Sequence, residues 1–353
     1  VQACSPIMPL EENRSPYFFF TGTKEIFLYG TRSADMIQWF KMKISSQKKG
    51  CSPMKISSFL PLAAFGLKTI RFKKSDPILG TIIVTDRCNL HCKHCSVNNI
   101  TSVLYPYTQI RREMEQLYSM GIRILFFCGG ETFLWRDGDI TLRDLVIEAK
   151  RMGFPIVNVV TNGTFPLDLP EADLILLSLD GDRDRHNAVR GDTYDLIMEN
   201  IKNASSGNIC FYMAINQINK DAVRHVCRTA RDTKNVRAVS FNFHTPYPDT
   251  RELSLSREEK ASCCRVIEEM MEEGVPVFNL KSAFPYLIDG SFPTPCRQCV
   301  VMENGTLSTC GRCISVPDLC SQCGYFFVAE YTLIFQGKPR IVLDMLKTYL
   351  KYI

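Results

Sequence analysis

The spacing of apolar positions changes repeatedly along this chain. From residue 81 onward, short β-branched and aliphatic runs alternate with stretches whose apolar residues recur every three or four positions. The runs cover residues 81–85, 122–128, 156–160, 174–179, 209–215 and 236–243. Apolar runs of this length, bounded by turn residues, read as buried strands. Between them, residues 108–120, 142–152, 193–204 and 221–232 carry helical periodicity, and 257–273 follow the sixth run in the same way. Strand–helix alternation predicts a parallel sheet with right-handed crossovers.

Upstream the pattern weakens. Residues 1–53 show little periodicity beyond two short strand candidates at 17–20 and 25–29, and Met54 offers an alternative start. Residues 54–75 place Ile56, Phe59, Leu60, Ala63, Leu67 and Ile70 at helical spacing among Lys55, Lys68, Arg71, Lys73 and Lys74. A basic helix with one apolar face fits a cap over the bottom of the sheet, and equally an anchor in an anionic membrane surface. A signal segment is the third reading, against which no A-x-A cleavage site follows. The expected division is 1–77 as an N-terminal extension, 78–280 as the alternating domain and 281–353 as a cysteine-rich end closed by an amphipathic helix from Ile341.

Composition narrows the classes. Hydrophobic content of 45% and charge of 22% argue for a packed core. No apolar run reaches the roughly 18 residues of a membrane span. The net charge of +5 is uneven, with nine Lys or Arg and no acid between Met36 and Ser75. Phosphate-binding glycine loops, Ser-His-Asp arrangements and aromatic-basic nucleic-acid signatures are absent, so no nucleic-acid partner is expected. Sixteen cysteines are many for this length, and they cluster. Close C-x2-C pairs beside an alternating α/β pattern suit metal or cluster binding in a reducing compartment. The expected address is cytoplasmic, at a membrane if residues 54–75 lie in its interface.

The first cluster follows the first strand: Cys88, Cys92 and Cys95 form C-x3-C-x2-C. Thiolates this close in one loop converge on a soft centre. Three on a cubane leave one iron open to a ligand, whereas a structural zinc loop is the plainer alternative. The second strand ends in Gly129-Gly130-Glu131, where glycines permit close backbone approach and an acid accepts from an ammonium. The third ends in Thr161-Asn162-Gly163-Thr164 and the fourth in Ser178-Leu179-Asp180-Gly181, followed by His186-Asn187-Ala188-Val189-Arg190-Gly191.

With these motifs the chain resembles the radical SAM superfamily; the TNG and S-x-DG blocks resemble its peptide-modifying branch, and residues 186–191 come close to that branch's H-D-x-x-R-G, with Asn187 in place of the Asp. The resemblance implies a partial (β/α)6 TIM-like barrel. It also implies a [4Fe–4S] cluster on Cys88, Cys92 and Cys95, with S-adenosylmethionine (SAM) on the open iron. SAM would contact Gly129, Gly130 and Glu131, with Asn162, Ser178, Asp180, Arg190 and His94 around it; His94 stands where relatives usually carry an aromatic. Arg190 is the expected carboxylate partner, since its fork binds one bidentately. His244 and Tyr247, after the sixth strand, are candidates to position substrate or relay a proton.

The second cysteine cluster resembles SPASM and twitch domains, through Cys299-x5-Gly305-x4-Cys310. It departs from the full SPASM pattern in its short closing part. An auxiliary [4Fe–4S] on Cys299, Cys310, Cys320 and Cys323 is the first expectation, leaving Cys296 and Cys313 over; a zinc ribbon is the alternative. The implied activity is reductive cleavage of SAM to a 5′-deoxyadenosyl radical, which removes hydrogen from an unactivated C–H bond. A flavodoxin or ferredoxin would supply the electron. The basic segment 54–75 points to a lipid-like or membrane-associated substrate, the SPASM-like tail to a peptide or protein, and an iron–sulfur electron carrier ranks last.

Overall fold

The computed structural model describes residues 17–21, 25–29, 77–95 and 101–350. It divides the chain into two units, 1–46 and 47–353. In the first, Tyr17–Thr21 pairs antiparallel with Glu25–Tyr29. The basic segment 54–75 lies outside the described residues.

The second unit is built on six parallel strands: β1 (Leu79–Thr85), β2 (Ile124–Gly129), β3 (Ile156–Thr161), β4 (Leu174–Ser178), β5 (Ile209–Ile215) and β6 (Val236–Phe243). Each pairs with its sequence neighbour, in the order β6-β5-β4-β3-β2-β1. Helices supply the crossovers: α1 (Tyr107–Ser119), α2 (Leu142–Met152), α3 (Arg183–Arg190), α4 (Tyr194–Asn203) and α5 (Val223–Asp232). After β6 come α6 (Arg257–Glu272) and the short α7 (Phe284–Asp289). The expected alternating α/β class is the observed one.

Periodicity produces these elements. In β1 six of seven residues are buried, as expected for a strand covered on both faces. On α1, Ile110, Met114 and Leu117 form one stripe against the sheet, and on α5 Val223, Val226, Cys227 and Ala230 do the same. Gly129 has φ +153°, and a Cβ there would lie 2.0 Å from the Thr85 carbonyl oxygen; at Gly130 it would lie 2.3 Å from the Arg87 oxygen. The glycine pair is thus required by the chain's own backbone, which presses the end of β2 against the loop after β1.

A hairpin, β7 (Cys299–Glu303) and β8 (Thr306–Thr309), extends the sheet on its other side, with β7 parallel to β1. The cysteine-rich segment then crosses to the opposite edge. There the Phe243 N–H donates to the Gly324 oxygen (2.9 Å), and the Phe326 N–H donates to Asn242 Oδ1 (2.8 Å). Two helices follow, α8 (Phe326–Phe335) and α9 (Pro339–Leu350). Residues from Ile78 to Ile341 share one hydrophobic core. No helix among the described residues is long and apolar enough to cross a membrane.

Glu330 on α8 is buried, and Oε1 accepts from the Asn279 side chain (3.2 Å) and the Leu280 N–H (2.9 Å). Burial nonetheless pushes its pKa up to about 7. The folded state therefore holds a proton that the unfolded chain releases near pH 4.5, and stability falls as pH rises between those values. At about 1.4 kcal/mol per pKa unit the loss is on the order of 3 kcal/mol. Glu330→Gln should flatten this part of the pH–stability curve, which urea unfolding from pH 4.5 to 8 would measure.

Candidate active site at the ends of the strands

The six strands aim their C-terminal ends at one region, where working residues of parallel α/β folds gather. The loop after β1 carries Cys88, Cys92 and Cys95 and is held from three sides. From β2, the Gly130 N–H donates to the Thr85 oxygen (2.8 Å) and the Glu131 N–H to the Arg87 oxygen (2.9 Å). From the end of β3, Asn162 Nδ2 donates to Asn89 Oδ1 (2.9 Å) and lies 3.8 Å from Cys88 Sγ. From α3, the Val189 oxygen accepts from the Lys93 N–H (2.9 Å), and Arg190 Nη1 lies 3.7 Å from Cys92 Sγ.

The sulfurs receive donors. Cys88 Sγ accepts from the Leu90 N–H (3.4 Å) as well as from Asn162. Burial raises the pKa of Cys88 and Cys92, and Arg190 opposes the rise at Cys92. Three thiols of one loop, aided by amide and guanidinium donors that favour anionic sulfur, fit an iron–sulfur cluster. Among the described residues no three His, Cys, Asp or Glu side chains converge on a single-ion site.

Glu131 is fully buried. Oε1 accepts from Thr161 Oγ1 (2.7 Å) and the Phe133 N–H (3.0 Å), and Oε2 accepts from the Asn162 N–H (2.7 Å). Burial raises its pKa, and these donors oppose the rise. Its carboxylate has capacity for a further donor such as an ammonium. Asn162, expected as a cofactor contact, also serves as the clamp between Glu131 and the cysteine loop.

Arg190 and Asp180 form a buried ion pair, with Nε donating to Oδ2 at 2.5 Å and side-chain exposures of 10% and 0%. Burial alone would raise the Asp180 carboxyl, but Arg190 and its other neighbours bring it below the ordinary value. Asp180 Oδ1 accepts from the Ala214 N–H on β5 (2.9 Å). The guanidinium is thereby turned onto the cysteine loop, with Nη2 3.4 Å from His94 Nε2. Burial lowers the His94 pKa to about 4, so its ring is neutral, and its buried Nδ1 has no partner among the described residues. An orphaned ring nitrogen beside the cysteines is what a site for a polar ligand leaves behind.

His186 opens the motif that the sequence offered, but no role was expected of it. Its Nδ1 accepts from the Asp180 N–H (3.1 Å) and its Nε2 faces Thr193 Oγ1 (3.1 Å), so it fixes the backbone carrying Asp180. His244 is buried beside the site, its ring 6.3 Å from that of His94 and nearly perpendicular to it. Its Nε2 lies 2.9 Å from Thr250 Oγ1. Ser178, the last residue of β4 and two positions before Asp180, is buried. Tyr247, at the same rim, hydrogen-bonds the Cys313 thiol.

The six C-terminal cysteines come together. Cys296, Cys310, Cys313, Cys320 and Cys323 line one small cavity with Thr245 and Val328. Cys299 reaches it through Cys296, the two sulfurs being 3.4 Å apart. A thiol–thiol hydrogen bond lowers one member of each close pair, Cys296 and Cys313, to about 7. Both cysteines left over from the expected quartet face this cavity, so all six are available as ligands.

Residues 82–230 match the profile described as Radical SAM superfamily. This central part of the chain is similar to radical SAM domains. Among curated proteins, the chain is 30% identical over 188 residues to 7,8-dihydro-6-hydroxymethylpterin dimethyltransferase of Methanocaldococcus jannaschii, covering 48% of this chain and 36% of that protein. It is 30% identical over 166 residues to the sporulation killing factor maturation protein SkfB of Bacillus subtilis, covering 42% and 38%. The matched part thus spans little more than a third of these relatives. Among solved structures, Streptococcus suis SuiB bound to S-adenosylmethionine superposes with TM-score 0.56 at 14% identity, covering 80% of this chain and 73% of that one. The anSMEcpe structure with bound AdoMet and Kp18Cys peptide gives 0.51 at 16%, covering 77% and 84%. The likeness in fold thus covers more than three quarters of this chain.

Proposed function

We propose that this protein is a radical SAM enzyme that modifies a peptide or protein substrate. One observation carries the enzymatic reading. The Cys88–Cys95 loop, Glu131 and the Asp180–Arg190 pair are locked together at the C-terminal ends of the strands by hydrogen bonds through Asn162 and Val189. Cys88, Cys92 and Cys95 would hold a [4Fe–4S] cluster with SAM. Such a cluster, once reduced by a small one-electron protein such as a flavodoxin or ferredoxin, would supply the electron for SAM cleavage and hydrogen abstraction. Glu131 accepts the methionyl ammonium, Gly129 and Gly130 present backbone beside it, and the neutral His94 ring offers its Nδ1 to the bound ligand. Asp180 holds the Arg190 guanidinium beside Cys92, where its charge favours thiolate and attracts the carboxylate of SAM. The packed sheet keeps water from the region beneath. The C-terminal cysteines would hold an auxiliary cluster.

The peptide assignment is supported by relatives rather than by this chain's own ligands. SuiB has been crystallised bound to precursor peptide SuiA, anSMEcpe with a peptide, and SkfB is named as a maturation protein. A lipid-like substrate rested on residues 54–75, and none of the relatives compared supports it.

Glu131→Gln tests the cofactor site. It keeps the shape of the side chain but removes a charge-assisted hydrogen bond worth about 1.5–3 kcal/mol. SAM affinity measured by calorimetry should fall roughly ten- to a hundredfold, with iron content unchanged. Equal affinity would leave Glu131 as only the clamp of Thr161 and Asn162.

A further inference from the structure

The sheet has a second, inward face. Leu176, Cys210 and Ala238 form a small apolar cluster separate from the main core, with Phe126, Val160 and Tyr212 against it. Side chains alternate along strands, so residues an even number away share that face. Register then builds tiers. Leu176 lies opposite Cys210, forming the floor with Ala238. One tier higher, Tyr212 lies between Ser178 on β4 and Ser240 on β6. The next tier is Asp180, Ala214 and Asn242, about 6.6 Å further along, where Asp180 meets the radical SAM site.

The middle tier is therefore three hydroxyls between an apolar floor and the cofactor region. None of the inward positions of β2 to β6 up to this tier is charged. Tyr212 is partly exposed, and burial raises its phenol pKa so that the proton stays on. The Asn242 side chain lies beside the phenol, and its Oδ1 accepts from the Phe326 N–H. The phenol O–H, with the Asn242 acceptor oxygen already engaged, is available to donate above the floor. Lower on the same face, Asn158 Oδ1 is buried with no donor among the described residues.

We propose that Tyr212, flanked by Ser178 and Ser240, is a substrate-orienting residue that selects an uncharged amide group by donating to its carbonyl oxygen. A carboxylate or phosphate would be desolvated here without a countercharge. An alkyl chain would strand the hydroxyls. An amide satisfies donors and acceptors together, and the unpartnered Asn158 oxygen suits an N–H deeper in the chamber. The assignment rests on the peptide reading above and gives that reading a residue.

The test uses the full-length, anaerobically reconstituted protein without SAM. N-acetylglycine N-methylamide, a minimal peptide, is titrated by ligand-observed NMR, with acetate as its charged counterpart. Tyr212→Phe should weaken the diamide roughly three- to tenfold, with thermal midpoint, iron content and SAM affinity unchanged, and acetate should not bind. Ser240→Ala, which leaves the ring in place, should weaken it less and serves if the first variant misfolds. Unchanged diamide affinity in both variants, acetate binding as tightly as the diamide, or no diamide binding to the unmodified protein overturns the proposal. Since SAM is absent from the titration, a failure to bind SAM or iron would strike the enzymatic reading separately.

Discussion

Replacing Cys88, Cys92 and Cys95 together with Ala is expected to remove one cluster and abolish SAM cleavage while leaving the chain folded. The loop that carries them has its own supports: Asn162 to Asn89, Val189 to Lys93, and the Thr85 and Arg87 oxygens to Gly130 and Glu131. None of these uses a sulfur. Iron in the reconstituted protein should drop from about eight atoms to about four, since a cubane holds four and the C-terminal cysteines are untouched. Iron analysis and chromatography of 5′-deoxyadenosine measure the two effects. Formation of 5′-deoxyadenosine by the triple variant would refute the cluster assignment. An iron content already near four in the unmodified protein would refute only the auxiliary cluster.

The second large effect concerns stability. Asp180→Ala should cost about 3–5 kcal/mol, because it leaves the buried Arg190 guanidinium without its countercharge and the Ala214 N–H without its acceptor. Asp180→Asn should cost less, since the acceptor is kept. Adding Arg190→Met to Asp180→Ala should recover much of the loss, as removing a whole buried pair is often neutral. Urea unfolding of the unmodified protein, Asp180→Ala, Arg190→Met and the double variant gives the coupling energy directly. If the single and double variants were equally destabilised, the pair would not be the source of the cost.

Much of the architecture was legible because it rests on period and spacing. The six strands and the main crossover helices appear within a few residues of where the apolar pattern placed them, and the cysteine loop follows the first strand as its neighbours implied. Helix α3 was not legible. Its sequence, RDRHNAVR, buries only His186 and Val189 and has no apolar stripe. Its one local signal is Asp182, which caps the helix by accepting from the Arg185 N–H. The β7–β8 hairpin could have been read from Asn304-Gly305, both with positive φ, flanked by strand-like residues. The cysteine spacing drew attention instead. Tyr212 was invisible for a different reason: its setting between Ser178 and Ser240 depends on register across three strands, which no single stretch encodes.

The crossing of the C-terminal segment from the β1 edge to the β6 edge bears on how the protein is made. A ribosome releases β1 to β6 in spatial order, so the sheet can grow strand by strand as the chain emerges. Its first strand nevertheless waits for residues 299–303, and its sixth for residues 276–279 and then, at its end, 324–326. Open parallel borders are templates for pairing with other nascent chains. The cysteine-rich segment, which emerges after all six strands, is thus also the clasp of the sheet. A stop codon introduced just before Cys296 should therefore yield aggregates rather than a smaller soluble enzyme.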